Sequence, residues 1–129
     1  MSHHQLPRPT DSELSILRVL WQLGPSTVRR VQEELLRSQP TGYTTVLKLM
    51  QIMTEKGLVT RDESERAHVY HPRYSEQNTQ RQLVADLLDR AFDGNASQLV
   101  MQALSSKPTS AQEVTAIRRL LDSLEGGAR

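Results

Sequence analysis

The spacing of apolar residues changes abruptly near Leu58, and this change constrains the fold more than any other feature of the chain. Before it, apolar side chains recur every three to four residues, with breaks at Gly24 and Pro40 that separate three short helices. After it the period shortens to about two in Leu58–Asp62 and Ala67–His71, which predicts two strands joined by a polar turn. Three helices and then a hairpin, within residues 1–73, is the order of a winged helix-turn-helix domain.

Capping signals predict where these helices begin and end. Thr10 and Glu13 have the spacing of a capping box, Ser26 or Thr27 caps the second helix, and Gly57 ends a third helix that begins near Tyr43. The apolar residues predicted to face the core are Leu14, Leu17, Leu20 and Trp21 in the first helix, Val28, Val31 and Leu35 in the second, and Val46, Leu49 or Met50, and Met53 in the third.

Residues 74–129 are predicted to be helical throughout, so the expected fold is mostly α with a small β-hairpin. Helices start near Ser75, after Asn95 and after the capping box of Ser110 and Glu113. Their apolar side chains would leave a large exposed patch in a single copy, so we expect two copies to interlock and make this segment a dimerisation domain. Packing back onto residues 1–73 is the alternative. The predicted dimerisation residues are Leu83, Leu87, Leu88, Phe92, Leu99, Leu104, Ile117, Leu121 and Leu124.

The third helix has the residues of a DNA-reading helix on its outward face. Tyr43, Thr44 and Thr45 begin it, and Lys48 lies one turn further along as the only charge between Pro40 and Thr54. Hydroxyl and ammonium groups bond to base edges and phosphates, and the N-terminal residues of such a helix face the bases. Further contacts are predicted from Arg29 and Arg30 in the preceding helix and from Arg66 at the hairpin tip.

Each of these residues also has an ordinary structural interpretation. A threonine suits the first turn of any helix, a lone lysine is usually solvated, and Tyr43 packs on the hairpin equally well. Arg66 has Glu63 and Glu65 nearby as partners for an ion pair within the turn. The order of the elements is therefore stronger evidence than any single side chain.

Composition excludes several other functions. With no cysteine there is no disulfide, thiolate metal site or cysteine nucleophile. The sequence also has no Gly-rich phosphate loop and no nucleophile-elbow spacing around its serines, so we expect no cofactor, no metal and no enzymatic activity. On a strand His68 and His71 would point to opposite faces, which suits a metal ion poorly, and His3 and His4 lie in an isolated pair at the start. No apolar run is long enough for a membrane span or a signal peptide, so we expect a cytoplasmic protein without direct membrane association.

The residues themselves leave three functional hypotheses open. The first is a dimeric winged-helix repressor that blocks transcription until the dimer is disrupted. The second is a helical protein-interaction module that does not bind DNA. The third is a regulator gated by a ligand or a metal.

Over the three helices, the hairpin and the helical segment that follows, the sequence resembles the penicillinase/methicillinase repressor family, the BlaI/MecI-type regulators. The similarity covers most of Leu6 to Val100, and its most specific part runs from Tyr43 to Gly57. The matching stretches are PTDSELSILRVLWQLGPSTVRRV, YTTVLKLMQIMTEKGLVTRDESERAHVYHP, LVADLLDRAFDGNASQLV and the tail SAQEVTAIRRLLDSLE.

The resemblance implies a winged-helix DNA-binding domain over residues 1–73, a helical dimerisation domain over 74–129 and a homodimer on an inverted-repeat operator. It implies that Tyr43, Thr44, Thr45 and Lys48 face the major groove. It also implies that Arg66, together with His68, contacts the DNA backbone from the wing, which is the β-hairpin after the third helix. It also implies release by disruption of the dimer, with proteolysis by a sensor peptidase as one route.

Two departures from the family limit what the resemblance carries to this chain. Resistance-linked members are cut between Asn and Phe, whereas the comparable stretch here has Gln102-Ala103, so neither that cut nor a β-lactam trigger is carried over. Copper-responsive relatives bear a C-terminal cysteine cluster that this chain lacks, which excludes that mode of copper sensing.

Overall fold

The computed structural model describes residues 7–127, and these form six helices and one antiparallel hairpin. The expected fold class, mostly α with a small hairpin, is confirmed. In chain order the elements are α1 (Asp11–Leu23), α2 (Val28–Leu35), α3 (Tyr43–Lys56), β1 (Val59–Asp62), β2 (Val69–Pro72), α4 (Glu76–Phe92), α5 (Ala96–Ser106) and α6 (Ala111–Gly127).

The predicted caps of the first three helices are present, with one choice resolved. The Thr10 hydroxyl accepts the Glu13 amide at 3.2 Å, and the Glu13 carboxylate accepts the Thr10 amide at 2.9 Å. Thr27 caps α2, because its hydroxyl accepts the Arg30 amide at 3.2 Å. Gly57 ends α3 with a left-handed φ of 83°. These bonds join groups within four residues, which is why the sequence alone predicts them.

Ser26 has a different role from the cap considered for it. Its amide donates to the Tyr70 carbonyl at 3.1 Å, and its carbonyl accepts the Tyr70 amide at 2.9 Å. The chain between α1 and α2 therefore pairs with β2 through a single antiparallel β-bridge. This pairing joins residues far apart in sequence and has no local signature.

The hydrophobic core lies between α1, α2, α3 and the hairpin. In α1 the predicted stripe is partly wrong, because Leu14 and Trp21 are only half-buried whereas Ile16 and Val19 are buried. The reason is that α1 contacts α2, α3 and β2 together, so a wider arc of the helix is covered than a single stripe assumes. In α3 the inward residue is Met50, and Leu49 is half-buried. The buried apolar residues are Ile16, Leu17, Val19, Leu20, Val28, Val31, Leu35, Val46, Met50, Met53, Leu58, Val59 and Tyr70.

The second strand begins two residues later than predicted. In the antiparallel register Asp62 is opposite Val69 and Val59 is opposite Pro72, so residues 63–68 form the loop and Pro72 is the last residue of the ladder rather than the residue after it. The Asp62 carboxylate accepts the Ser64 amide at 2.9 Å, and this bond starts the turn directly after β1. Ala67 and His68 are exposed in the loop.

The chain divides into two compact units within α4, one ending at Ala85 and the other beginning at Asp86. The predicted boundary between functional domains after residue 73 stays a prediction. In the second unit Asn95 caps α5, accepting the Gln98 amide at 3.1 Å, and Ser110 forms the expected capping box with Glu113. None of the described helices has both the length and the apolarity of a membrane span.

A partly buried ion pair joins the first turn of α1 to the last turn of α3. The Lys56 ammonium is 2.6 Å from the Glu13 carboxylate, whose side chain is 3% exposed, and it also donates to the Arg8 carbonyl at 3.2 Å. Burial alone would raise the pKa of Glu13, but the hydrogen bonds from Lys56 and Thr10 outweigh it and lower the pKa below the ordinary value of 4.5. The ionised pair therefore stabilises the fold.

We expect Lys56→Met to lower the free energy of unfolding at pH 7 by about 2 kcal/mol, because the buried Glu13 carboxylate loses its cation. The cost is below that of a fully buried pair, since the Lys56 side chain is 33% exposed. A carboxyl group with a lowered pKa stabilises the fold above its ordinary pKa, and this contribution is lost as the pH falls through the folded-state value. The difference from wild type should therefore shrink below pH 4.5.

Urea unfolding at several pH values measures this difference. Lys48→Met is the matched control, because it removes the same charge from an exposed position of the same helix. Equal stability of the two variants at pH 7 would show that the ion pair adds nothing.

Candidate nucleic-acid interface

The two faces of α3 have opposite environments. Val46, Met50 and Met53 are completely buried. On the other side Thr44, Thr45 and Lys48 are exposed, whereas Tyr43, which is 42% exposed, lies two helical turns before Met50 and so flanks the buried side, not the open face on which it was predicted. The helix therefore has one face fixed in the core while the predicted reading face is open to a partner.

The turn that leads into α3 is held from α2. The Gln32 side-chain amide donates to the Thr41 carbonyl at 3.1 Å, across the break between the two helices. Gly42 is the N-cap residue of α3 and has no side chain with which to cap the first amides. The first turn of α3 is thus positioned by its neighbour rather than by a cap of its own.

A groove of about 320 Å³ lies between α2, α3 and the hairpin. Four of the eight predicted DNA-binding residues line it: Arg29, Tyr43, Arg66 and His68. The Arg29 guanidinium carbon is 5.6 Å from the centre of the Tyr43 ring, which is within the range of a cation–π contact. Side chains from three separate elements are therefore brought together on one concave surface.

The other four predicted residues lie outside the groove. Thr44, Thr45 and Lys48 occupy the open face of α3, and Arg30 is exposed on α2 directly after Arg29. The sequence analysis predicted no DNA contact from the other residues of the groove, which are Thr27, Val28, Leu47, Ala67 and Tyr70. Only the approach of the hairpin to α2 and α3 brings them to this surface.

Some cations of the winged-helix part form ion pairs with carboxylates, whereas, among the residues that the structure describes, the predicted DNA-binding cations do not. Arg37 pairs with Glu34 at 3.3 Å, Lys56 with Glu13 at 2.6 Å and Arg61 with Glu63 at 2.6 Å. In residues 7–127, the four predicted DNA-binding cations have no carboxylate partner: Arg29, Arg30, Lys48 and Arg66. Glu63, considered as a partner of Arg66, pairs with Arg61 instead. The charges of the candidate site are therefore not neutralised within the described chain.

The predicted dimerisation residues fall into an exposed and a half-buried group. Leu87, Leu104, Leu121 and Leu124 are between 39% and 61% exposed. Leu83, Leu88, Phe92, Leu99 and Ile117 are half-buried. Further apolar side chains that are largely exposed, and that the sequence analysis did not select, are Val84, Val100, Met101 and Leu120. In residues 86–126 no side chain is buried, so this stretch has no closed core within one copy.

The histidines do not form a metal site in the described residues. His68 lies in the exposed loop and His71 in β2, and residues 7–127 contain no group of three or more metal-ligating side chains of the His, Cys, Asp or Glu type. His3 and His4 lie outside the described residues.

The family model and the relatives that match this sequence align with it over nearly its whole length. The sequence model of the family described as penicillinase repressor matches residues 9–123. The transcriptional regulator BlaI of Mycobacterium tuberculosis is 33% identical over 124 residues, covering 95% of this chain and 89% of its own. The penicillinase repressor of Bacillus licheniformis is 21% identical over 118 residues, covering 92% of each chain.

Solved structures resemble somewhat more than half of the chain. One is the DNA-binding domain of the repressor BlaI, with a TM-score of 0.51 and 23% identity, covering 57% of this chain and 89% of that one. Another is the monomeric form of Bacillus licheniformis BlaI in complex with the blaP half-operator, with a TM-score of 0.50 and the same identity and coverage. At this identity the likeness establishes a shared winged-helix fold.

Proposed function

Because this chain belongs to the penicillinase repressor family, we propose that it is a dimeric DNA-binding transcriptional repressor. Two copies bind the two halves of an inverted-repeat operator, and disruption of the dimer releases the DNA. The observation that carries this proposal is α3, whose inner face is fully buried while its outer face presents Thr44, Thr45 and Lys48. A helix held in this way enters a major groove as a rigid unit.

In this proposal the outer face of α3 reads the bases. Threonine hydroxyls bond to base edges or phosphates and their methyl groups pack on thymine methyls, while a lysine bonds to guanine or phosphate. The three side chains lie within two turns of the N-terminal end, where the reading helix of a helix-turn-helix protein meets base edges. The relative solved with a blaP half-operator has the same fold, which supports this mode of binding.

The groove beside α3 is proposed to hold the DNA backbone. Arg29 lines it from α2 and Arg66 from the wing, and Tyr43 and His68 line the same groove. Neither arginine has a carboxylate partner in the described residues, so both charges are available to phosphate oxygens. Contacts of this kind position a protein on DNA without reading sequence.

Dimerisation is proposed through the helices of residues 74–129. The absence of any buried side chain in residues 86–126, together with leucines that are up to 61% exposed, supports a second copy as the missing half of this core. Two linked winged helices bind a two-fold site far more tightly than one, because the second contact becomes intramolecular. Separating the copies therefore releases the operator.

The release step is proposed to act on the dimer rather than on the reading helix. Gln102 and Ala103 lie in α5 and are exposed, in place of the Asn-Phe pair that the resemblance would require. If a sensor peptidase acts on this chain, its cut must use a different pair of residues.

The proposed function predicts strong, salt-dependent binding to DNA upstream of the chain's own gene. If Arg29, Arg30 and Arg66 of both copies each contact a phosphate, the plot of log K against log salt concentration should have a slope of about −5. Gel shifts or fluorescence anisotropy at several salt concentrations measure it, with a scrambled duplex as the control. Failure to shift any genomic fragment would favour the protein-interaction module.

A further inference from the structure

The wing contains a second arginine whose charge is already engaged. Arg61 lies in β1 directly opposite Tyr70 in β2, so the two side chains lie on the same face of the hairpin. Tyr70 lines the groove between α3 and the wing, which places Arg61 at the border of the proposed DNA surface. The sequence pattern did not mark Arg61 as a residue of the DNA surface, because only the register of the two strands places it opposite Tyr70.

Glu63 holds this guanidinium in place. Arg61 Nε donates to one oxygen of the Glu63 carboxylate at 2.7 Å, and Arg61 Nη2 lies 2.6 Å from the same oxygen. Interaction with Tyr70, and then with Glu63, raises the pKa of Arg61, whose guanidinium is charged at neutral pH whether or not it is paired. The pair is exposed, with the two side chains 31% and 54% accessible, so a nearby phosphate competes directly with the carboxylate.

The charge of the wing as a whole opposes DNA. Residues 61–66 contain two arginines but three carboxylates. The Asp62 carboxylate is fixed in the turn by the Ser64 amide, and this bond lowers its pKa. Arg66 is then the one arginine of the wing without a carboxylate partner in the described residues. A wing of this composition adds little attraction to the sugar-phosphate backbone.

We propose that Glu63 limits the sequence-independent part of DNA binding by withholding the Arg61 guanidinium from phosphate. Glu63 is thus a positioning residue that acts through Arg61, and this inference rests on the proposed function. In the native protein Arg66 is the one guanidinium of the wing that is left for phosphate, so that binding depends more on the base contacts of α3. Phosphate contacts contribute equally on any sequence, and each one releases about one counterion.

Glu63→Gln tests the proposal, since it removes the carboxylate and keeps the size of the side chain. Affinity for a duplex of arbitrary sequence is expected to rise about fivefold, and the slope of log K against log salt concentration to steepen by about 0.9 per chain. The matched control is Glu65→Gln, which removes the same charge two residues further along, from a carboxylate with no arginine partner in the described residues. It should change the slope clearly less.

The double variant Arg61→Gln with Glu63→Gln distinguishes a new contact between Arg61 and phosphate from the general effect of removing a negative charge. If Arg61 makes the new contact, the double variant returns to the wild-type slope. Equal slopes for Glu63→Gln and Glu65→Gln, or a slope in the double variant as steep as in Glu63→Gln, would overturn the inference and leave the repressor proposal intact. Wild-type protein that binds no DNA would instead overturn the proposed function itself.

Discussion

Replacing Thr45 and Lys48 together by alanine is expected to weaken operator binding about 100-fold, with little change in stability. Both side chains are exposed on the outer face of α3, and neither has a hydrogen-bonding or charged partner in the described residues. Their removal therefore leaves the core untouched, and exposed substitutions of this kind typically change the free energy of unfolding by less than about 0.5 kcal/mol. Fluorescence anisotropy gives the affinity and thermal unfolding gives the stability.

The control for this variant is Ser12→Ala with Arg18→Ala, which removes a hydroxyl and a cation from exposed positions of α1. The variant that lacks Thr45 and Lys48 should lose less affinity for a scrambled duplex than for the operator, because part of its loss is in base contacts. Unchanged operator affinity would mean that α3 does not read the DNA.

Leu87→Asp is expected to convert the protein to monomers and to lower operator affinity at least about 100-fold. Leu87 is 50% exposed in the single chain, so the substitution costs little within one copy. In a dimer it would place a carboxylate within an apolar interface, where an unpaired charge is strongly unfavourable. Light scattering gives the molecular mass, and anisotropy gives the affinity for full and half operators.

Two comparisons make this result specific. Ala85→Asp places the same carboxylate at an exposed position on the opposite side of α4, and it should remain dimeric. Leu87→Asp should keep the wild-type affinity of a single winged helix for a half operator. A variant that stays dimeric would show that the dimer face lies elsewhere.

The helix boundaries show how far local signals reach. The caps at Thr10, Asn95 and Ser110 and the left-handed Gly57 were all predictable, because each joins groups within about four residues of one another. The order of helices and hairpin followed from the same signals. That order identified the fold class before any contact between elements was known.

The candidate site was predictable in its residue types more than in its shape. The exposed face of α3 follows from helical spacing, since Thr44, Thr45 and Lys48 lie on the side of the helix opposite its buried apolar residues. The groove does not follow from spacing, because Arg29 and His68 meet there only when the hairpin packs beside α2. The roles of these residues in binding DNA stay predictions that the variants above test.

Local patterning was sufficient for the elements of this protein, their caps and the face of α3 that stays polar. Tertiary packing decided the width of the buried arc on α1, the pairing of Ser26 with Tyr70, the start of β2 and the partner of each arginine. The physical reason is distance along the chain. A capping bond forms between near neighbours, whereas the Glu13–Lys56 pair joins residues 43 positions apart and exists only once α1 and α3 have packed.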